Sequence, residues 1–172
     1  MFKSLYHYLL SLVSHPGAIW ALALMSFLEA FISPVSPLIL LIPMAAANPH
    51  RAWRYVMVAT VTATLGSVLG YYIGHEFIVF VLPYIEQLGY LDAYQTAMEW
   101  FQRWGLWMVF ISSLTPLPFK VFTIAAGALK LSFLPFLIIA CFGRWVHFAL
   151  IPIGLKFFAV PLQKWFKGKF MG

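Results

Sequence analysis

An all-α, polytopic membrane protein is the fold class this chain predicts, and three observations predict it. Hydrophobic residues make up 63% of the 172 and charged residues only 9%, far below the roughly 25% charged of a soluble domain. Three prolines, Pro34, Pro37 and Pro43, interrupt one oily run, and Pro116 and Pro118 interrupt a second in the same way. A proline removes a backbone donor and clashes with the preceding turn, so neither run can be one straight helix. In lipid, broken backbone survives only where protein or a wet cavity covers it, because each unpaired N–H or C=O there is costly. Each break is therefore an expected cavity.

Taken in order, residues 1–16 are too short to span, and the aromatics of Phe2, Tyr6 and Tyr8 suit the headgroup boundary. They read as an interfacial helix stopped at His15-Pro16-Gly17, with no removable signal pattern. From Gly17 to Ala47 only Glu29 is charged, and the stretch exceeds the roughly 20 residues a span needs. It predicts two short helices, 18–32 and 38–47, forming a re-entrant hairpin around a break at Ser33 to Pro37. Ser36-Pro37 has the chemistry of a helix start, a serine cap followed by proline at the first helical position. Asn48-Pro49 repeats it and opens a helix over 49–75, with Arg51 and Arg54 at its water end. Gly66, Gly70 and Gly74, spaced by four, leave one face of that helix nearly bare for close approach of another. Residues 17–75 make a first repeat.

Polarity changes over 76–104. Leu88, Leu91, Tyr94, Met98 and Phe101 recur at three to four residues while Glu86, Asp92, Gln95, Glu99 and Gln102 take the other face, which predicts an amphipathic connector. Residues 105–160 then restate the opening: an apolar run, the break at Pro116 and Pro118, a short apolar stretch from Phe119 to Leu129, and a helix from about 133 with a kink at Pro152. Residues 161–172 form a basic tail. From Pro37 to Gly74 and from Pro118 to Gly154 the distances agree within a residue, so the halves read as repeats. Basic flanks at Lys3, Arg51, Arg54, Lys156 and Lys164 place both termini on the cytoplasmic side of the inner membrane. The two repeats are then inverted, and the hairpin tips meet near mid-membrane.

Several function classes drop out. The net charge of +6 sits at the ends of apolar segments, where it meets headgroups, so no nucleic acid is implied. A single cysteine, Cys141, excludes a disulfide framework and a cysteine metal cluster. No paired-histidine spacing, Ser-His-Asp set or glycine-rich phosphate loop is present, so the chain predicts no metal, no cofactor and no enzyme. No residue specifies the oligomeric state, and a homo-oligomer is compatible with it.

The chemistry that remains is ionic. A half-helix starting inside a membrane points free N–H groups and partial positive charge into the cavity, which favours anions. Lys120 lies in the first turn after the second break, and Ser33, Ser36, Ser113 and Thr115 add hydroxyls around the tips. Glu29, the one acid at depth, is a proton carrier or the counter-charge of Arg144 or Lys120. Arg144, mid-helix in the second half, needs a partner whatever the function. The membrane lipid expected here has an anionic headgroup.

Glu29 with Ser33-Pro34-Val35-Ser36-Pro37 and Leu40-Leu41-Ile42-Pro43-Met44, then Gly66-Ser67-Val68-Leu69-Gly70-Tyr71-Tyr72-Ile73-Gly74, then Thr115-Pro116-Leu117-Pro118-Phe119-Lys120 with Ala126-Gly127, resembles the DedA family of membrane proteins. This is the VTT or SNARE-associated domain group, and the short YqaA-like branch is the nearest in pattern. The resemblance covers about 25–160. It implies two opposed re-entrant hairpins and transport of a lipid such as undecaprenyl phosphate across the inner membrane, as flippase or scramblase, often with proton coupling. By position Glu29 matches the family's first acid, and Lys120 is the basic residue beside the second break. The chain departs from the pattern where many members carry a second acid, here Leu38, and arginines, here Ser113 and Phe119. A structural or assembly role in the envelope is the alternative from a different class.

Overall fold

The computed structural model describes residues 17–30, 36–115 and 119–170, with side chains to 157. The expected interfacial helix over 1–16, together with Ser33, Pro34, Pro116 and Pro118, lies outside the described residues. Among the described residues six α-helices follow one another: α1 Ala18–Glu29, α2 Leu38–Ala47, α3 Ala52–Gln87, α4 Leu91–Leu114, α5 Phe119–Ala128 and α6 Phe133–Phe170. No strand occurs among the described residues. At the head of α2, Pro37 takes the capping position, and the Ser36 hydroxyl accepts from the Leu38 N–H at 3.3 Å. Asn48-Pro49 leads through a 3₁₀ turn, Pro49–Arg51, into α3.

Three boundaries differ from the sequence pattern, one of them at the carboxyl end, where α6 runs to Phe170 through the stretch read as a basic tail. The helix expected over 49–75 runs on to Gln87, through Pro83. A change of surface polarity at Glu76 does not end a helix, because the backbone ladder is indifferent to what its outer face meets. The stop comes where the backbone demands it: Gly89 adopts φ +75°, and Tyr90 N–H reaches the Ile85 carbonyl while Gly89 N–H reaches Glu86. That pair of bonds is a glycine-terminated helix end. The remainder of the connector, 91–104, is continuous with 105–114 in α4, with Tyr94, Met98, Phe101 and Gly105 turned inward.

The helix α3 is the spine. A Cβ on Gly66 would collide with the Phe27 carbonyl of α1, and one on Gly74 with the Ile124 carbonyl of α5. In return, a Cβ on Gly127 of α5 would strike the Tyr71 carbonyl of α3. Gly70, between the two glycine contacts of α3, is buried. Backbone therefore lies on backbone along one face of α3, where van der Waals contact replaces side-chain packing. Two apolar cores form at its ends. Leu22, Leu41, Met44, Val56 and Phe148 join α1, α2, α3 and α6; Tyr71, Phe101, Val109, Phe119 and Phe136 join α3 to α6.

The opposite faces are oily and open. Along α3, Trp53, Met57, Val61, Leu65 and Leu69 are exposed at intervals of four, and on α6 Leu134, Ile138, Phe142, Trp145 and Ile153 are likewise exposed. Two helical stretches, Pro49–Gln87 and Phe133–Phe157, are long and apolar enough to cross a membrane; α1, α2 and α5, at 10 to 12 residues, are not.

The turn from α5 to α6 is held from outside. Tyr71 donates to the Leu131 carbonyl at 2.6 Å, Tyr94 to Ala128 at 2.8 Å and Gln102 to Lys130 at 3.2 Å. Lys130 itself has φ +54°, the left-handed region, in a helix end of the same kind as that at Gly89. Glycine takes that conformation without the Cβ clash, so Lys130→Gly is expected to raise stability by about 1 kcal/mol. Thermal unfolding in detergent reads it, and a lower melting temperature would contradict it.

Candidate functional site

The site is assembled where α1 ends. Glu29 is the last residue of α1, and its Oε2 lies 2.7 Å from Nη2 of Arg144 in α6. Arg144 is 3% exposed, and the Glu29 side chain 21% exposed. A cation this deep needs compensation, and it has three sources. Glu29 supplies the charge. The Phe119 ring, at the start of α5, lies under the guanidinium at 4.1 Å, and Phe148, one turn further along α6, at 5.9 Å; ring faces attract a desolvated cation. The contact with Glu29 is ionic without being a well-aligned hydrogen bond, since neither Oε2 nor Nη2 has a hydrogen-bond partner among the described residues.

Two further contacts bring other helix ends to this place. Thr123 of α5 donates to the Lys120 carbonyl at 2.8 Å and lies 3.4 Å from the carbonyl of Ala30, the residue closing α1. At the end of α4, Ser113 abuts Gly143, the neighbour of Arg144. The carboxyl end of α1, where Glu29 stands, carries partial negative charge on the guanidinium's side. Arg144 itself lies about 16 Å along α6 from Phe133, at about 1.5 Å per residue, near the middle of the apolar stretch Phe133–Phe157.

The residues singled out from sequence divide. Glu29 and Arg144 are joined directly. Lys120 is half-buried in the first turn of α5, next to Phe119. Ser113 and Thr115 donate to carbonyls of their own helix, Phe110 at 2.6 Å and Ile111 at 2.8 Å, and Ser36 is engaged with Leu38. Pro37 is buried at the head of α2. Sequence reasoning missed Phe119, Phe148, Thr123 and Ser26. Phe148 was findable, being four residues beyond Arg144 and so on the same helical face; Phe119 was not, since its contact is purely tertiary.

An apolar groove of about 420 Å³, lined by Leu106, Trp107, Phe110, Ile139 and Phe142, opens between α4 and α6. Phe142, beside Gly143, and Phe110, one turn before Ser113, bring it up to the Ser113–Gly143 contact.

Residues 16–155 match the VTT domain. A Haemophilus influenzae protein described as an uncharacterized protein is 32% identical over 168 residues, covering 95% of this chain and 88% of its own length. A Histophilus somni protein, described as an uncharacterized protein HI0703 homolog, is 36% identical over 151 residues, covering 88% and 79% respectively. No solved structure matches the chain.

Proposed function

The chain belongs to the VTT-domain family, the DedA group, and from that premise we propose that it moves an anionic lipid or lipid-linked phosphate, undecaprenyl phosphate being the type case, between the leaflets of the inner membrane. In this reading α3 and α6 cross the bilayer with their open apolar faces toward lipid. The pair α1–α2 and the pair formed by the end of α4 with α5 are re-entrant hairpins entering from opposite sides, and both termini are cytoplasmic.

The observation that carries the proposal is the Glu29–Arg144 contact, an ion pair held between the end of a short helix and the middle of an apolar one. An ionisable pair at such a depth is costly, which makes a functional role the default. Arginine presents a planar fork matched to phosphate. A headgroup phosphate competes with Glu29 for the same guanidinium. Protonation of Glu29 releases its hold, so the site stays neutral as one anionic charge enters. Lys120, beside Phe119, supplies a second positive charge at the mouth, and the groove between α4 and α6 receives a hydrocarbon chain.

Purified protein in vesicles is expected to move a fluorescent lipid phosphate between leaflets, and Glu29→Gln or Lys120→Ala to slow it at least tenfold per folded protein. Equal transport by both variants would sink the reading. The depth of Arg144 and the backbone contacts along α3 favour a second one, an envelope assembly factor in which the pair is a clamp. Variants that transport normally while melting earlier would decide for the clamp.

A further inference from the structure

Among the described residues four buried polar side-chain atoms lack a hydrogen-bond partner, and they belong to three residues, two of them one turn apart on α1 and the third in contact with Glu29: Ser26 Oγ, Glu29 Oε2, and Nε and Nη2 of Arg144. Ser26 is fully buried, one turn before Glu29 on the same face of α1. Its hydroxyl behaves unlike those around it. Thr60, Ser67, Ser112, Ser113 and Thr115 each donate to a carbonyl three or four residues back in their own helix, the usual resting place of a hydroxyl without other work. The Leu22 carbonyl offers Ser26 the same bond, and Ser26 does not take it.

Resting on the lipid-phosphate reading, we propose that Ser26 is a further headgroup-binding residue, its hydroxyl and the Arg144 guanidinium together donating to one phosphate oxygen. The chemistry selects the class. Ser26 can donate, and Nε and Nη2 only donate, so the group they take is an acceptor. A neutral carbonyl would accept without balancing the guanidinium once Glu29 lets go. An ammonium headgroup has no lone pair to offer the two donors. A phosphate ester does both, accepting hydrogen bonds and cancelling charge. Serine adds what arginine alone lacks, a donor that fixes which oxygen is held and so orients the headgroup on α1.

The test is thermal unfolding of full-length protein in detergent, titrated with farnesyl phosphate, farnesol and inorganic phosphate, since a ligand that binds the folded state raises the melting temperature. Farnesyl phosphate is expected to raise it and farnesol to leave it unchanged. Ser26→Ala, which removes only an unpaired hydroxyl, is expected to melt no lower than the parent without ligand and to bind farnesyl phosphate about tenfold more weakly, one charge-assisted hydrogen bond's worth. Ser26→Thr, keeping the hydroxyl, is expected to restore binding. Equal binding by Ser26→Ala makes the cluster a hydration site and overturns the proposal. So does a Ser26→Ala protein that melts several degrees lower or fails to fold, because the hydroxyl is then structural. A response to inorganic phosphate alone, lost in Ser26→Ala, keeps the oxyanion site and overturns its lipid source. A parent protein indifferent to all three compounds removes the lipid-phosphate reading itself.

Discussion

Glu29→Leu is expected to destabilise the protein by about 3–5 kcal/mol, the cost of leaving one member of a buried ion pair without its partner. The guanidinium left behind is 3% exposed, so water cannot take the place of the carboxylate. The converse change, Arg144→Met, is expected to cost less. It leaves a carboxylate whose side chain is 21% exposed and can draw on water, and methionine keeps most of the packing on Phe119 and Phe148. Replacing both, Glu29→Leu with Arg144→Met, is expected to recover most of the loss, because an apolar pair of similar volume needs no compensation. Melting temperatures of the four proteins in one detergent measure this. A double variant no better than Glu29→Leu would show that the charges do more for the fold than neutralise each other. The double variant also isolates function: a stable protein unable to move lipid phosphate is the expected outcome.

The second large effect concerns the glycine contacts. Gly74→Ala and Gly127→Ala are each expected to cost about 3 kcal/mol, the upper part of the range for overpacking, since the new methyl meets the Ile124 or the Tyr71 carbonyl rather than a side chain that could turn aside. The two sites share one interface, so once α5 has been pushed off α3 the second methyl finds room. Their effects should add to less than the sum. Gly154→Ala is the internal control, with no atom within 4 Å of the added methyl and about 1 kcal/mol of helix propensity to gain. If Gly127→Ala melted like Gly154→Ala, the close approach of α3 and α5 would be refuted.

The parts of this molecule that sequence made legible are those where a residue type is expensive out of place. Glu29 and Arg144 declared themselves because a charge in an apolar run has to be answered; the prolines were less consistent, Pro37 and Pro49 standing at helix starts while Pro43 and Pro83 lie inside α2 and α3. Boundaries were less legible. The amphipathic pattern beginning at Glu76 looked like a new element, yet α3 carries on to Gln87, since exposure of the outer face changes there and the backbone does not. The hydroxyls misled for a related reason. Ser113 and Thr115 are close to the site in sequence, but a serine in a helix finds its own carbonyls first, and only coordinates show that Ser26 has declined them. Phe119, standing where the family pattern carries arginine, turns out to face an arginine from another helix.

The glycine face of α3 touches α1 through Gly66 and α5 through Gly74, and the contacts are main chain on main chain. Such a surface has no side-chain cushion, so it resists compression steeply and shear hardly at all. Travel along the axis of α3 is thus the cheap displacement for either short helix, and travel toward or away from it the dear one. The stapled loop at Lys130 anchors one end of α5, and Phe119, buried beneath the Arg144 guanidinium, seats the other, so a slide of α5 along the glycine track would be felt first at the ion pair.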